Sequence, residues 1–202
     1  MPRRDRLTDS VLADLLATAQ ARWQEFETRR PGYHTYVHAD WALAVPALRR
    51  LQNTCSTFLE CGSGLGVITI LADLLGYDAF GIELDPWLFE CSQDLAERFG
   101  ARATWAEGSF VPAGARDDVS YESADFLTVR DGEPAYDDLG MTLADFDLVY
   151  AFPWPGEEER FLAMASAHAN RDTLVLLYGA ADGYQLFRRG RPMRWPDGDA
   201  AR

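Results

Sequence analysis

Apolar residues recur every three to four positions across residues 10–29, at Leu12, Leu15, Leu16, Ala19, Trp23 and Phe26. That spacing puts them on one face of an amphipathic helix. Thr8, Asp9 or Ser10 offers an N-terminal cap, and Pro31-Gly32 ends the segment. A second helix is predicted over 41–50. From residue 56 the pattern changes, and short runs that are apolar almost throughout alternate with helical spacing. Strands are predicted at 57–61, 79–84, 103–107, 146–152 and 173–178. Helices fall between them: 67–75, closed by Gly76; a segment opened by Asp85-Pro86 with Leu88, Cys91, Leu95 and Phe99 as its inner stripe; and 157–169, with Phe161, Leu162 and Ala165 inward. Glu157, Glu158 and Glu159 suit the positive end of that last helix. Residues 184–195, around Gly190, predict a small hairpin. Between 109 and 144, breakers at Pro112, Gly114, Gly132 and Pro134 interrupt every period, and Phe126–Arg130 fits a strand or a helix fragment equally.

Alternation of strand and helix, with strands too apolar to face water, predicts an α/β fold: a mostly parallel sheet covered by helices on both faces. Residues 1–50 read as a helical N-terminal cap packed on a core formed by 51–202. No internal repeat or low-complexity linker divides the chain. The stretch Tyr33-His34-Thr35-Tyr36-Val37-His38-Ala39-Asp40-Trp41 admits two readings. It packs the cap onto the main domain, or it lines a ligand mouth with rings that stack and hydrogen-bond.

Composition narrows the function. The 202 residues carry a net charge of −13, which argues against a non-specific grip on nucleic acid or an anionic membrane and leaves room for a cationic partner. Cys55, Cys61 and Cys91 cannot all pair within the chain and form no Cys-x-x-Cys, so they read as reduced residues of a cytoplasmic protein. The basic start is followed by an amphipathic segment and not by an apolar one, and no run approaches a membrane span. His34, His38 and Asp40 lie close in sequence, yet no metal-binding frame surrounds them, and no metal is expected.

The segment with chemical content is Glu60-Cys61-Gly62-Ser63-Gly64-Leu65-Gly66, between a strand and a helix. Glycines there let the backbone turn tightly and approach a ligand at the carboxyl end of the sheet. Glu83 ends the next strand, where an acid can accept both hydroxyl hydrogens of a ribose. A phosphate-binding P-loop is excluded because no Gly-Lys-Ser/Thr follows. The dinucleotide pattern would place its third glycine at 67, where this chain has Val67.

Glu60, Gly62, Gly64 and Gly66, with Glu83-Leu84-Asp85 after the second strand, resemble the first two motifs of the class I S-adenosylmethionine-dependent methyltransferases. The resemblance covers about residues 54–179 and implies a Rossmann-like three-layer sandwich. It also implies S-adenosyl-L-methionine as cofactor. By the resemblance, the backbone at 62–66, Ser63 included, passes the methionine part and Glu60 lies near its amino group. Glu83 holds the ribose hydroxyls, with Asp85 beside it. Leu84 and Phe110 sandwich the adenine. Ser109 stands where the family usually has an acid. Asp147 to Pro153 falls at the fourth motif, but the family's Asn/Asp-Pro-Pro-aromatic signature is reduced to Phe152-Pro153-Trp154. Tyr150 and Trp154 are candidates for the wall of the acceptor channel, His34 for a general base, and Tyr36 and Tyr150 for cofactor contacts. Gly81 to Leu88 is similar to a stretch of some protein-lysine methyltransferases, so the acceptor is a small molecule or a cationic protein. Two rivals follow: a partner subunit that binds the cofactor without turnover, and an NAD-dependent oxidoreductase. The short tail predicts a reduced strand pair or an open edge, hence a monomer or a homodimer.

Overall fold

The computed structural model describes residues 5–29, 38–116, 132–196 and 198. Five strands run parallel: β1 (Thr57–Cys61), β2 (Asp78–Glu83), β3 (Thr104–Glu107), β4 (Leu148–Ala151) and β5 (Leu174–Gly179). Two more, β6 (Gly183–Arg188) and β7 (Arg191–Pro192), return antiparallel, giving one sheet in the order β3-β2-β1-β4-β5-β6-β7. The chain builds outward from β1 through β2 to β3, then crosses back to β4. The crevice of such a sheet opens above the carboxyl ends of β1 and β4, where the direction of winding switches.

One face of the sheet packs against α1 (Asp9–Arg29), α2 (Trp41–Leu51), α3 (Val67–Leu75) and α4 (Pro86–Phe99). The other packs against α5 (Tyr136–Leu139) and α6 (Glu158–His168). Strand alternation assigns the faces: Phe58, Leu148, Tyr150, Leu174 and Leu176 join the first core, and Leu59, Cys61, Val149 and Val175 the second.

Local chemistry accounts for the element ends. Asp85 accepts from Trp87 N and Leu88 N to cap α4, Pro86 stands in its first turn, and Gly100 closes it in the left-handed region. Every residue of α3 is buried, which matches its lack of a polar face. Within that helix the buried Asp73 accepts from the Arg6 guanidinium and from Arg102 N, at 3.0 Å for the latter. Arg6 N also donates to Leu74 O at 2.7 Å, so the segment before α1 is tied to α3. Leu15, Ala19 and Phe26 of α1 are buried, with Leu12, Leu16 and Trp23 half-buried against the same core.

The strand predicted at 146–152 is shorter than its apolar run. Asp147 Oδ2 accepts from Ser56 N at 2.7 Å and Thr57 N at 3.1 Å, bracing the amino end of β1. Asp147 therefore lies at the end of the sheet away from the crevice. The C-terminal hairpin forms in reduced length, and Pro192, lacking a donor, blunts the outer edge. Phe126–Arg130 lies outside the described residues. Among those described, no helix is long and apolar enough to cross a membrane, and no group of three or more His, Cys, Asp or Glu is placed to hold a metal ion.

Candidate functional site

β1 ends in the glycine loop, which is held by backbone bonds to its neighbour strand. Gly62 N and Ser63 N both donate to Ile82 O, at 3.0 and 2.9 Å, and Gly66 N donates to Ser63 O at 2.7 Å. Gly62, Gly64 and Gly66 all have positive φ. At Gly66 a side chain is also excluded by space: a Cβ would sit 2.7 Å from Ser92 Cβ and 3.0 Å from the Trp105 ring. Trp105, from β3, thus wedges under the loop where α3 begins. Gly62 is exposed, and a Cβ there would meet only Phe110 Cε1, at 3.8 Å, so this side of the loop lies open at the crevice.

Glu83, at the end of β2, clamps the loop to α4. Its Oε2 accepts from Gly64 N at 2.6 Å and its Oε1 from Asp85 N at 2.8 Å. Burial raises its pKa, and these backbone donors pull the other way. Each carboxylate oxygen accepts two bonds, so capacity remains toward the crevice. Leu84 follows with 37% of its surface exposed, one of two large apolar side chains so placed among the described residues.

Glu60 is buried beside the loop. Its Oε2 accepts from Thr69 N at 2.9 Å and Thr69 Oγ1 at 2.6 Å, locking one oxygen onto α3. Burial pushes its pKa up to about 8, against the lowering effect of the Thr69 bonds and with a smaller push from Glu83. Its register partner on β4 is Tyr150. Tyr150 is buried, and burial holds its phenol well above the usual range, with Tyr184 and Glu60 adding to the shift.

The remaining predicted residues divide. Ser109 spends its hydroxyl on Val111 N at 3.1 Å, and its backbone bridges to Pro134. Phe110 is turned into the second core, its ring edge-on to Phe161 at 5.9 Å. Trp154 is half-buried in the loop after β4. His34 and Tyr36 lie outside the described residues. The three cysteines are buried and free, and burial raises each thiol, Cys91 to about 11, so none is a thiolate at neutral pH. Sequence reasoning missed Trp105, Tyr178 and Tyr184. The first is an apolar strand residue like any other, and the tyrosines acquire meaning only through the pairing of β5 with β6.

No family model matches the chain. The ribosomal protein L11 methyltransferase of Thermus thermophilus is 36% identical over 76 residues, covering 38% of this chain and 30% of that protein. An O-methyltransferase from Bacillus cereus, crystallised in complex with SAH, superposes with a TM-score of 0.50 at 15% identity, over 85% of this chain and 66% of that one. A cofactor-bound protein from MTB gives 0.50 at 17% identity, over 84% and 65%. The chain thus spans less than a third of the curated relative and just under two thirds of these structures. The fold is the Rossmann-like α/β fold of the class I methyltransferases.

Proposed function

We propose that this chain is an S-adenosylmethionine-dependent methyltransferase. The observation that carries the reading is the Glu83 clamp: an acid with spare acceptor capacity, fixed against an open glycine loop and followed by an exposed leucine. These residues fit a nucleoside. Glu83 accepts from ribose hydroxyls, Leu84 covers one face of the base, and the exposed side of Gly62 lets the chain pass along the loop. Ser109 supplies no acid for the adenine amine. When bound, the cofactor supplies a methyl already activated on sulfur, so the protein has to align the acceptor and needs no metal. The acceptor's lone pair forms the new bond as the sulfur–carbon bond breaks, leaving that electron pair on sulfur in S-adenosylhomocysteine. Binding of both partners falls at the switch point, between the glycine loop and the loop after β4.

Calorimetric titration of the purified protein with S-adenosylmethionine, S-adenosylhomocysteine and NAD tests this. Micromolar binding of the first two and none of the third is expected. Binding of NAD alone contradicts the reading, and a nucleoside site without turnover on any acceptor would favour the partner-subunit role.

A further inference from the structure

The face of the sheet under α2 carries a row of aromatic residues that the glycine loop does not explain. Tyr178 and Tyr184 are register partners across β5 and β6, with ring centroids 4.9 Å apart. Tyr150 lies 6.1 Å from Tyr184, and Phe152 edges Tyr178 at 5.0 Å. Tyr150 and Tyr184 are 1% and 5% exposed, yet neither hydroxyl has a partner of hydrogen-bond geometry. The two phenols lie close enough for each to affect the other's ionisation.

Other buried tyrosines behave differently. Tyr77 donates to Leu48 O at 2.7 Å, and Tyr136 to Phe110 O at 2.7 Å. Buried hydroxyls are normally satisfied, so two neighbours left open mark a place for a ligand. The surroundings set its charge. Asp40, at the N-cap of α2, acts on Tyr184. Electron-rich rings, phenol oxygens and the Asp40 side chain favour a cation that donates hydrogen bonds. The net charge of −13 draws such a ligand in.

We propose that the Tyr150 and Tyr184 hydroxyls, walled by Tyr178 and Phe152, hold the amino group of an alkylamine that is the methyl acceptor. The acceptor role rests on the methyltransferase reading, whereas the amine site itself stands on the tyrosines. The bound ammonium gives one proton to water, and its lone pair then forms the nitrogen–carbon bond. The pair of the broken sulfur–carbon bond stays on sulfur and the positive charge passes to nitrogen, so the products are an N-methylammonium ion and S-adenosylhomocysteine.

The test is NMR of protein with ring-labelled tyrosine, titrated with n-butylamine hydrochloride and, separately, n-butanol, with and without S-adenosylhomocysteine. The chain has eight tyrosines, and Tyr150→Phe and Tyr184→Phe identify the two resonances. Butylammonium is expected to shift those two, butanol to leave them, and Tyr184→Phe to bind the amine about tenfold more weakly with unchanged S-adenosylhomocysteine affinity. Equal shifts with butanol, or none with the amine, overturn the proposal. So does an equal fall in S-adenosylhomocysteine affinity, which would give the hydroxyls to the nucleoside. Tighter binding of a lysine peptide than of butylamine identifies a protein side chain as the source, and the reverse order a free amine. If the nucleoside fails to bind wild-type protein, the methyltransferase reading falls, and the tyrosine shifts still decide the amine site.

Discussion

The two sides of the crevice are built in opposite ways. On the β1–β2 side the chain bonds to itself over short distances: the glycine loop, Glu83 and the cap of α4 lie within about twenty-five residues and exchange backbone hydrogen bonds. On the β4–β6 side Glu60, Tyr150, Tyr178 and Tyr184 come from four strands spread over more than half the chain and meet only through strand register. Both sides keep buried polar atoms without partners, Ser63 Oγ and Trp105 Nε1 on the first and the Tyr150 and Tyr184 hydroxyls on the second, but only the first is held in shape by backbone hydrogen bonds within one short stretch. The loop tolerates little change in shape because its glycines have positive φ and Trp105 and Ser92 press on Gly66, whereas the phenols are free to serve a ligand.

The largest effect should therefore come from the loop. Gly66→Ala forces a left-handed backbone and a collision with Ser92 and Trp105, and should cost about 3 kcal/mol or more in denaturant unfolding. Gly100→Ala is the control. Its φ of +62° is comparable, but nothing lies within 4 Å of the added methyl, so only the backbone penalty of about 1 kcal/mol should remain. Equal losses in the two variants would remove the Trp105 wedge from the account.

Glu60 sharpens the boundary between the two sides. Its pKa rises from 4.5 to about 8 on folding, so the folded state holds the proton more tightly. Its contribution to stability is complete below pH 4.5 and is lost as pH rises toward 8. Glu60→Gln keeps an acceptor for Thr69 and has no proton to lose. Thermal melts should show the variant gaining on wild type from about pH 4.5 upward and levelling above about 8. Each kcal/mol gained corresponds to about 2–4 °C in a chain of this size. A constant difference across that range would contradict the buried-acid assignment. The smallest effect belongs to the phenols. Tyr184→Phe removes a buried hydroxyl that has no hydrogen-bond partner, and should leave unfolding free energy unchanged or raise it by up to about 1 kcal/mol.

What was legible in the sequence follows the same division. The helix 67–75 stands where its apolar run and Gly76 predict, because both ends are set by neighbouring glycines. The second predicted strand is displaced by a residue, to Asp78–Glu83, and the fourth is cut back to Leu148–Ala151, because pairing and Asp147, not hydrophobicity, set those ends. The approach of Glu83 to the glycine loop is legible, since consecutive parallel strands bring their carboxyl ends together. Ser109 spends its hydroxyl on Val111 N, and Phe110 packs edge-on to Phe161 while keeping a ring edge beside Gly62, two placements that no local pattern states. Tyr184 could not be read as a site residue, because its partners lie across strands whose pairing no local pattern states.

The most direct measurement is the affinity of Glu83→Ala for S-adenosylhomocysteine, beside wild-type protein and with circular dichroism to confirm the fold. Loss of the ribose acceptor and of the clamp on Gly64 should weaken binding by about a hundredfold. Binding unchanged in a folded variant would contradict a nucleoside site at the β1–β2 side, and with it the proposed function.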